Sequence, residues 1–585
     1  MARTVADQLI AQLVAVGVRR IYGIVGDSLN PISDAVRRTG GSAKGGIDWI
    51  HVRNEEAAAF MASADAQMSG ELAVCAGSCG PGNLHLINGL YDAHRSRAKV
   101  LAIAAHIPSS MVGSGYFQET HPDRLFVECS GYCELISTAA QASGVVGSAI
   151  RSSLAGEGVS VVTLSGDIAE LEAEGTPPVI ARTGRPELVP AEADVRALAA
   201  ALDRAGTVAF FVGEGGRGSH DEIVELAGLL KAPIGHSLRG KDAIQYDNPY
   251  DVGMTGLLGY GAAHAGIHDA DVLVLLGTDF PYPQFLPDGD DVLIAQVDAD
   301  ASVIGRRAEV SLAVHGEVGP TVRRLLELVK PKKADKFLKK TLKKHDELMR
   351  GTVGAYTKRA DKLTPIHPEY AASVLDELAA DDAIFTADTG MQNVWSARYL
   401  TPNGKRRIFG SYLHGSMANA LPHAVGAHYA QPDRQVVAMA GDGGLAMLMG
   451  ELVTVAAYQV PVKIVVFNNS TLGLVKLEML VDGLPDFGVD VPMVDYAAVA
   501  AALGIHSVRV EDPKRLRRAY EQAFAHRGPA LVEVVTDPLA LSLPPTISGE
   551  QVKGFALAMS KIVMNGGAGE AVAMARSNLR NVPRP

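Results

Sequence analysis

Short apolar runs alternate with amphipathic stretches along most of the chain. Residues 72–76 form one such run, followed by Gly77-Ser78-Cys79-Gly80-Pro81-Gly82, a helical spacing through Leu84, Ile87 and Leu90, and a second apolar run at 100–104. Further on the same unit returns: the run 436–440, then Gly441-Asp442-Gly443-Gly444, a helical spacing through Leu448, Leu452 and Val455, and the run 462–467. Strand–glycine loop–helix–strand units build parallel sheets with right-handed crossovers, and the recurrence points to an ancient duplication. Between the two lie the runs 208–212, 271–276 and 292–297, which read as strands buried on both faces. The pattern predicts an α/β fold of three doubly wound parallel-sheet domains.

Punctuation divides the chain further. Val5, Leu9, Leu13 and Val16 mark an amphipathic first helix that Gly17 ends. Pro177, Pro178, Pro186 and Pro190 form one break; residues 330–344, with eight lysines, form another and read as a solvated connecting helix. The expected domains are 1–182, 183–335 and 345–540, followed by a helical tail, 541–585. In that tail Val552, Phe555, Ala556, Met559, Ile562 and Val563 make one apolar stripe. It either docks on the protein's own surface or meets a membrane surface.

Composition narrows the class. A chain of 585 residues, 47% hydrophobic and 20% charged, fits a large α/β enzyme and excludes a disordered or fibrous protein. The net charge of -11 and the lack of a strongly basic domain exclude nucleic-acid binding. No apolar stretch is long enough to span a bilayer, and no signal-peptide pattern opens the sequence, so a cytoplasmic protein is expected. Cys75, Cys79, Cys129 and Cys133 are too few for a disulfide scaffold, and their spacing is wider than common zinc sites use, so burial is expected.

The chemistry concentrates at Gly441-Asp442-Gly443, with Asn468-Asn469 closing the next strand. Loops at the carboxyl ends of parallel strands are where open α/β sheets bind ligands. Gly441, Gly443 and Gly444 let a diphosphate approach the backbone at a helix N-terminus. Asp442 and Asn469 supply hard oxygen ligands for Mg²⁺, with a backbone carbonyl near Thr471 as a third.

On this pairing the chain resembles the thiamine-diphosphate enzymes, and within them the pyruvate oxidase branch with its quinone-dependent pyruvate dehydrogenases. The likeness runs through residues 70–85, 115–122, 247–256, 414–420 and 462–470, and so through all three domains. It implies thiamine diphosphate, Mg²⁺ and FAD as cofactors: residues 1–182 bind the pyrimidine, 183–335 the FAD, 345–540 the diphosphate and metal. Glu55 matches the glutamate that hydrogen-bonds a pyrimidine nitrogen; relatives commonly carry His before it, whereas Asn54 stands here. Met417 matches the bulky residue that bends the cofactor, with Gly415 and Ser416 beside it. Thr389, Gly390, Met391 and Gln392 match a second loop at the diphosphate. Thr471, Leu472, Gly473, Leu474 and Val475 follow the second strand, with Leu474 where relatives often have Phe. Phe117 and Gln118 match positions near substrate. Glu478 matches an acid that handles protons, although a surface helix glutamate accounts for it nearly as well.

For the flavin, Gly213 and Gly215 belong to a G-x-G-x-x-G pattern that lacks a following acid. The resemblance moves the main contacts to Thr255, Gly256, Leu257 and Leu258, to Thr278, Asp279, Phe280, Pro281 and Tyr282, and to Asp298. It implies oxidative decarboxylation of pyruvate to acetate and CO2, with electrons passed to a membrane quinone from a peripheral position on the cytoplasmic face. It also implies a homotetramer, with Glu55 from one subunit and Asp442 from another at each site. Three alternatives remain open: a phosphate-dependent pyruvate oxidase making acetyl phosphate and hydrogen peroxide, an acetolactate-synthase-type carboligase, and a cofactor-binding regulator without turnover.

Overall fold

The computed structural model describes residues 3–176, 180, 186–358, 360–540, 556–561, 568–578 and 580. The first sheet holds β1 (Arg20–Gly23), β2 (Asp48–His51), β3 (Ala73–Gly77), β4 (Val100–His106), β5 (Tyr132–Ile136) and β6 (Val159–Ser165). Their order is β2-β1-β3-β4-β6-β5, all parallel. Strands β4 and β6 are buried along their whole length, which is why they read as unbroken apolar runs.

The middle sheet holds β7 (Val208–Val212), β8 (Ile234–His236), β9 (Asp251–Met254), β10 (Tyr260–Gly261), β11 (Val272–Leu276), β12 (Leu293–Asp298) and β13 (Leu312–His315). Its order is β10-β9-β8-β7-β11-β12-β13. Every pair is parallel except β9 with β10, a two-residue antiparallel edge.

The third sheet holds β14 (Ile384–Ala387), β15 (Arg407–Gly410), β16 (Val436–Gly441), β17 (Lys463–Asn468), β18 (His506–Val510) and β19 (Ala530–Val535). The order β15-β14-β16-β17-β19-β18 repeats that of the first sheet strand for strand, as the duplicated sequence unit implies. The fold is three parallel-sheet α/β domains.

Helices join the first and third domains into one core. Helix Glu55–Ser69 starts at Asn54, whose side chain accepts from the Glu56 N–H, and stops at left-handed Gly70. Its alanines are small enough for close packing, and Ala57–Ala64 share a core with Leu421, Ala424 and Leu452 of the third domain. A Cβ on Gly426 would stand 2.1 Å from the Met61 carbonyl oxygen, and one on Gly89 would stand 2.5 Å from the Ala59 Cβ. These helices touch backbone to backbone, and only glycine fits.

Three details refine the sequence reading. The helix expected through Leu448, Leu452 and Val455 is two helices, Asp442–Met447 and Glu451–Tyr458. Leu448 leaves helical geometry between them at φ -122°, ψ 32°. The lysine-rich stretch forms helix Lys336–Gly351, which buries Leu338 and Thr341. In the tail, Val552, Phe555, Ile562 and Val563 lie outside the described residues. Ala558, Met559 and Met574 pack on Leu477, Leu480, Val481 and Leu539, and the Lys561 Nζ donates to the Gly483 carbonyl at 2.9 Å. Among the described residues no helix is long and apolar enough to cross a membrane. The four cysteines are free, with Cys75, Cys79 and Cys129 buried; burial pushes the Cys129 thiol up to about 12 and Cys133 to about 11.

Candidate functional site

Asp442 and Asn469 stand at the ends of neighbouring strands. β16 ends at Gly441 opposite Phe467 of β17, so the loops that follow leave the sheet side by side. Asp442 is 3% exposed. Its Oδ1 accepts the Gly443 N–H at 2.9 Å, and its Oδ2 accepts the Ser470 N–H at 2.7 Å, which bridges the two strand tips directly. The Tyr496 hydroxyl donates to the Asp442 carbonyl at 2.8 Å. Burial pushes the Asp442 carboxyl up to about 6. Each carboxylate oxygen keeps spare lone pairs, and among the described residues the Asn469 Oδ1 accepts only from the Thr471 N–H, at 3.2 Å. A carboxylate, an amide oxygen and a carbonyl suit a hard cation such as Mg²⁺. Among the described residues there is no cluster of three His, Cys, Asp or Glu that would suit a softer metal.

The other loops converge on this point. A Cβ on Gly441 would stand 3.0–3.2 Å from the Gln392 side chain. One on Gly443 would meet the Leu472 Cδ2 at 3.0 Å and the Met417 Cε at 3.5 Å, and one on Gly473 would meet the Met391 Cγ at 3.0 Å and the Asn469 Nδ2 at 3.1 Å. These glycines let the loops close around a common cradle, because a side chain at any of them would press on the neighbouring loop. Gly390 and Gly415 sit at φ 138° and 79°, turns that favour glycine. The buried Thr389 Oγ1 has no hydrogen-bond partner among the described residues, an open position beside the cradle. Val475 is largely exposed on helix Gly473–Val481.

Sequence reasoning missed Asp388. This acid directly follows β14 unmarked by any motif, yet its Oδ1 accepts the Ala420 N–H at 2.8 Å and its Oδ2 the Gly441 N–H at 3.2 Å. It ties the 415–420 loop to the cradle, and burial pushes its carboxyl up to about 6.

Glu55 forms a second group. It is buried at the first turn of its helix, with Oε2 2.9 Å from His85 Nδ1. A Cβ on Gly82 would stand 3.0 Å from its Oε1, so the Gly80-Pro81-Gly82 turn leaves the carboxylate room. Gln118, at φ 61°, accepts from the Cys79 thiol at 3.3 Å and lies against Gly80. Phe117 is 77% exposed beside it. The hydrogen-bond partners of Glu55 and those of Asp442 do not overlap. Asn54, the departure from the common His, caps the helix through the Glu56 N–H at 2.9 Å.

A third group lines a cavity of about 1590 Å³ where the three domains meet. Every residue assigned to the flavin lines it except Gly213. Gly213 lies behind the wall: a Cβ there would stand 2.4 Å from the Gly277 carbonyl oxygen, so this glycine serves strand packing. Thr389, Gly415, Leu474 and Glu478 of the third domain open into the same space, as do Tyr91, Arg95 and Arg97 of the first, which the sequence did not single out. The buried Thr255 Oγ1 has no partner among the described residues. Asp279 is held by Arg306 and Arg307. Asp298, whose Oδ1 accepts the Asp300 N–H at 3.0 Å, has its carboxyl raised by burial. Glu478 is raised too, by desolvation at the cavity wall and then by Asp482.

Three family models match in order: the thiamine pyrophosphate enzyme N-terminal TPP binding domain at residues 3–125, its central domain at 195–325, and its C-terminal TPP binding domain at 388–534. A putative thiamine pyrophosphate-containing protein, YdaP, of Bacillus subtilis strain 168 is 32% identical over 569 residues, 96% of each chain. A pyruvate oxidase of Lactiplantibacillus plantarum is 29% identical over 536 residues, 90% of this chain and 87% of that one. A probable acetolactate synthase large subunit of Methanococcus aeolicus is 27% identical over 574 residues, 92% of this chain and 93% of the relative. With all three domain models matched in order and a relative aligned along nearly its full length, this chain belongs to the thiamine pyrophosphate enzyme family.

Proposed function

We propose that this protein is a flavin-containing thiamine enzyme that decarboxylates pyruvate oxidatively to acetate and CO2 and passes the electrons to a membrane quinone. The observation that carries this reading is the shared cavity. Thr255, Thr278 and Asp298 of the middle domain and Gly415, Leu474 and Glu478 of the third line one hollow, so a flavin held by the middle domain would lie beside the thiamine loops. The pyruvate oxidase relative supports pyruvate as the substrate.

Asp442, Asn469 and the Thr471 carbonyl would hold Mg²⁺, and the backbone amides at Gly441, Gly443 and Gly444 would meet the diphosphate. Bound thiamine diphosphate supplies a thiazolium ring that takes up the electron pair when the substrate carboxylate leaves, and FAD supplies a two-electron acceptor. Glu55 holds a proton against a pyrimidine nitrogen, with His85 as its neighbour on the accessible side. Gln118, fixed by Cys79, orients the substrate. Glu478, at the cavity wall, is the acid placed to exchange protons there. The assembly proposed is a homotetramer in which Glu55 and Asp442 of different subunits complete each site. A lipid-soluble acceptor puts the enzyme at the cytoplasmic face of the membrane, with residues 541–585 as the segment that meets lipid.

The acetolactate synthase relative favours a second reading, carboligation of two pyruvates. The test is anaerobic addition of pyruvate to purified protein with Mg²⁺, thiamine diphosphate and FAD, followed by a quinone analogue. Flavin bleaching, acetate release and reoxidation by the quinone support the proposal. Acetolactate without bleaching supports the carboligase, and acetyl phosphate formed only with phosphate supports the phosphate-dependent oxidase. No CO2 release at all overturns pyruvate as substrate.

A further inference from the structure

We propose that Glu451, an acid of the third domain, is the positioning residue for Glu55: it grips the backbone on which Glu55 stands. The inference rests on the reading of Glu55 as the pyrimidine-side acid. Glu451 opens helix Glu451–Tyr458 and is 0% exposed. Its Oε1 accepts two consecutive backbone donors, the Arg53 N–H at 2.8 Å and the Asn54 N–H at 3.0 Å. Its Oε2 accepts the Thr454 hydroxyl at 2.7 Å. The two amides immediately precede helix Glu55–Ser69, where the chain turns out of extended geometry and no helical carbonyl can receive them. One carboxylate from another domain takes both.

The grip is continued on the far side of Glu55. Asn54 caps the Glu56 N–H at 2.9 Å. The Glu56 Oε1 accepts from the Asn88 Nδ2 at 2.7 Å, and the same amide nitrogen donates to the Ser416 Oγ at 2.9 Å, while the His414 Nε2 lies 2.7 Å from the Asn88 Oδ1. Residues 53, 54 and 56 are thus tied to the third domain of their own chain, and Glu55, between them, is left to face His85. Glu451 makes no contact with the Glu55 carboxylate among the described hydrogen bonds and acts through the backbone alone.

The arrangement separates position from charge. A glutamine at 451 can accept both amides on its carbonyl oxygen and donate its NH₂ to Thr454, so Glu451→Gln keeps the grip without the charge. Glu451→Ala takes the acceptor from two consecutive amides and lets the first turn shift. The first measurement is hydrogen–deuterium exchange of residues 49–60 in cofactor-free protein. The second is the exchange rate of the thiazolium C2 proton of bound thiamine diphosphate, which needs no 2-oxo acid. Glu451→Ala is expected to lose protection at Arg53 and Asn54 and to slow C2 exchange about 100-fold, the scale of a small misplacement of a reacting group, while cofactor affinity holds. Glu451→Gln is expected to restore both. A wild-type C2 rate in Glu451→Ala overturns the proposal, as does equal impairment of the two variants together with lost cofactor binding. If the alanine variant does not fold, Thr454→Val frees the Oε2 and is expected to slow C2 exchange several-fold; an unchanged rate there overturns it. A wild type that exchanges C2 normally yet releases no CO2 from pyruvate sinks the proposed reaction and leaves this result standing.

Discussion

His85 Nδ1 stands 2.9 Å from Glu55 Oε2, with the Glu55 side chain 6% exposed and the His85 side chain 51% exposed. A buried acid is therefore joined to solvent through one imidazole. Glu55→Gln keeps a hydrogen-bonding group at the pyrimidine and removes the exchangeable acid. It is expected to bind thiamine diphosphate as the wild type does, by titration calorimetry, while CO2 release falls at least about 100-fold. Equal rates would remove Glu55 from the chemistry.

Asp442→Ala tests the metal end. Its two carboxylate oxygens bridge the strand tips and face the cradle. The expected outcome is loss of Mg²⁺-dependent binding of thiamine diphosphate. In a melting assay, chelator lowers the midpoint of the loaded wild type, because a ligand that binds the native state stabilises it. The variant shows no such drop.

Lys241 gives a stability prediction unrelated to the cofactors. Its ammonium is fully buried, 3.0 Å from the Tyr260 hydroxyl, and burial pushes its pKa from 10.5 down to about 8. Below about pH 8 both states hold the proton and the cost of the buried charge is constant. Between about 8 and 10.5 the unfolded chain holds the proton and the native one does not, so stability climbs with pH and is lost again as pH falls towards 8. The full span is about 3 kcal/mol. Lys241→Met is expected to flatten that climb and to raise the melting midpoint at pH 7; an unchanged slope in urea titrations refutes the assignment.

Gly426→Ala tests the junction of the first and third domains. The added Cβ would stand 2.1 Å from the Met61 carbonyl oxygen, and backbone cannot yield as a side chain can. A loss of about 1–3 kcal/mol is expected from overpacking, read as a lower melting midpoint. Gly351→Ala, where nothing lies within 4 Å, should leave it unchanged.

The sheets were legible because their central strands are buried on both faces, so Val208–Val212 and Val436–Gly441 stand out as apolar runs ended by glycine. That Asp442 and Asn469 stand at neighbouring strand ends was legible because each directly follows or closes an apolar run, where open α/β sheets place their ligand loops. The edge pair β9–β10 was not, since two residues carry no periodicity. Nor was the break at Leu448, where helical spacing continues across two separate helices. Asp388, Asn88 and Glu451 stayed hidden for one reason: each acts through contacts far away in sequence, and an acid after a strand or at the start of a helix, or an amide inside one, looks like any other. The tail stripe left docking and membrane contact both open; of its described residues Met559 packs on the cluster with Leu477 and Leu480 of helix Gly473–Val481, and Ala556 is exposed.

The hollow at the meeting of the three domains has walls from all of them: Arg95 and Arg97, then Thr255 and Asp298, then Gly415 and Leu474. No fragment that ends before the third domain encloses it. A ligand that touched all three walls would bind only the assembled arrangement of the lobes, so that its release and their coming apart would be coupled.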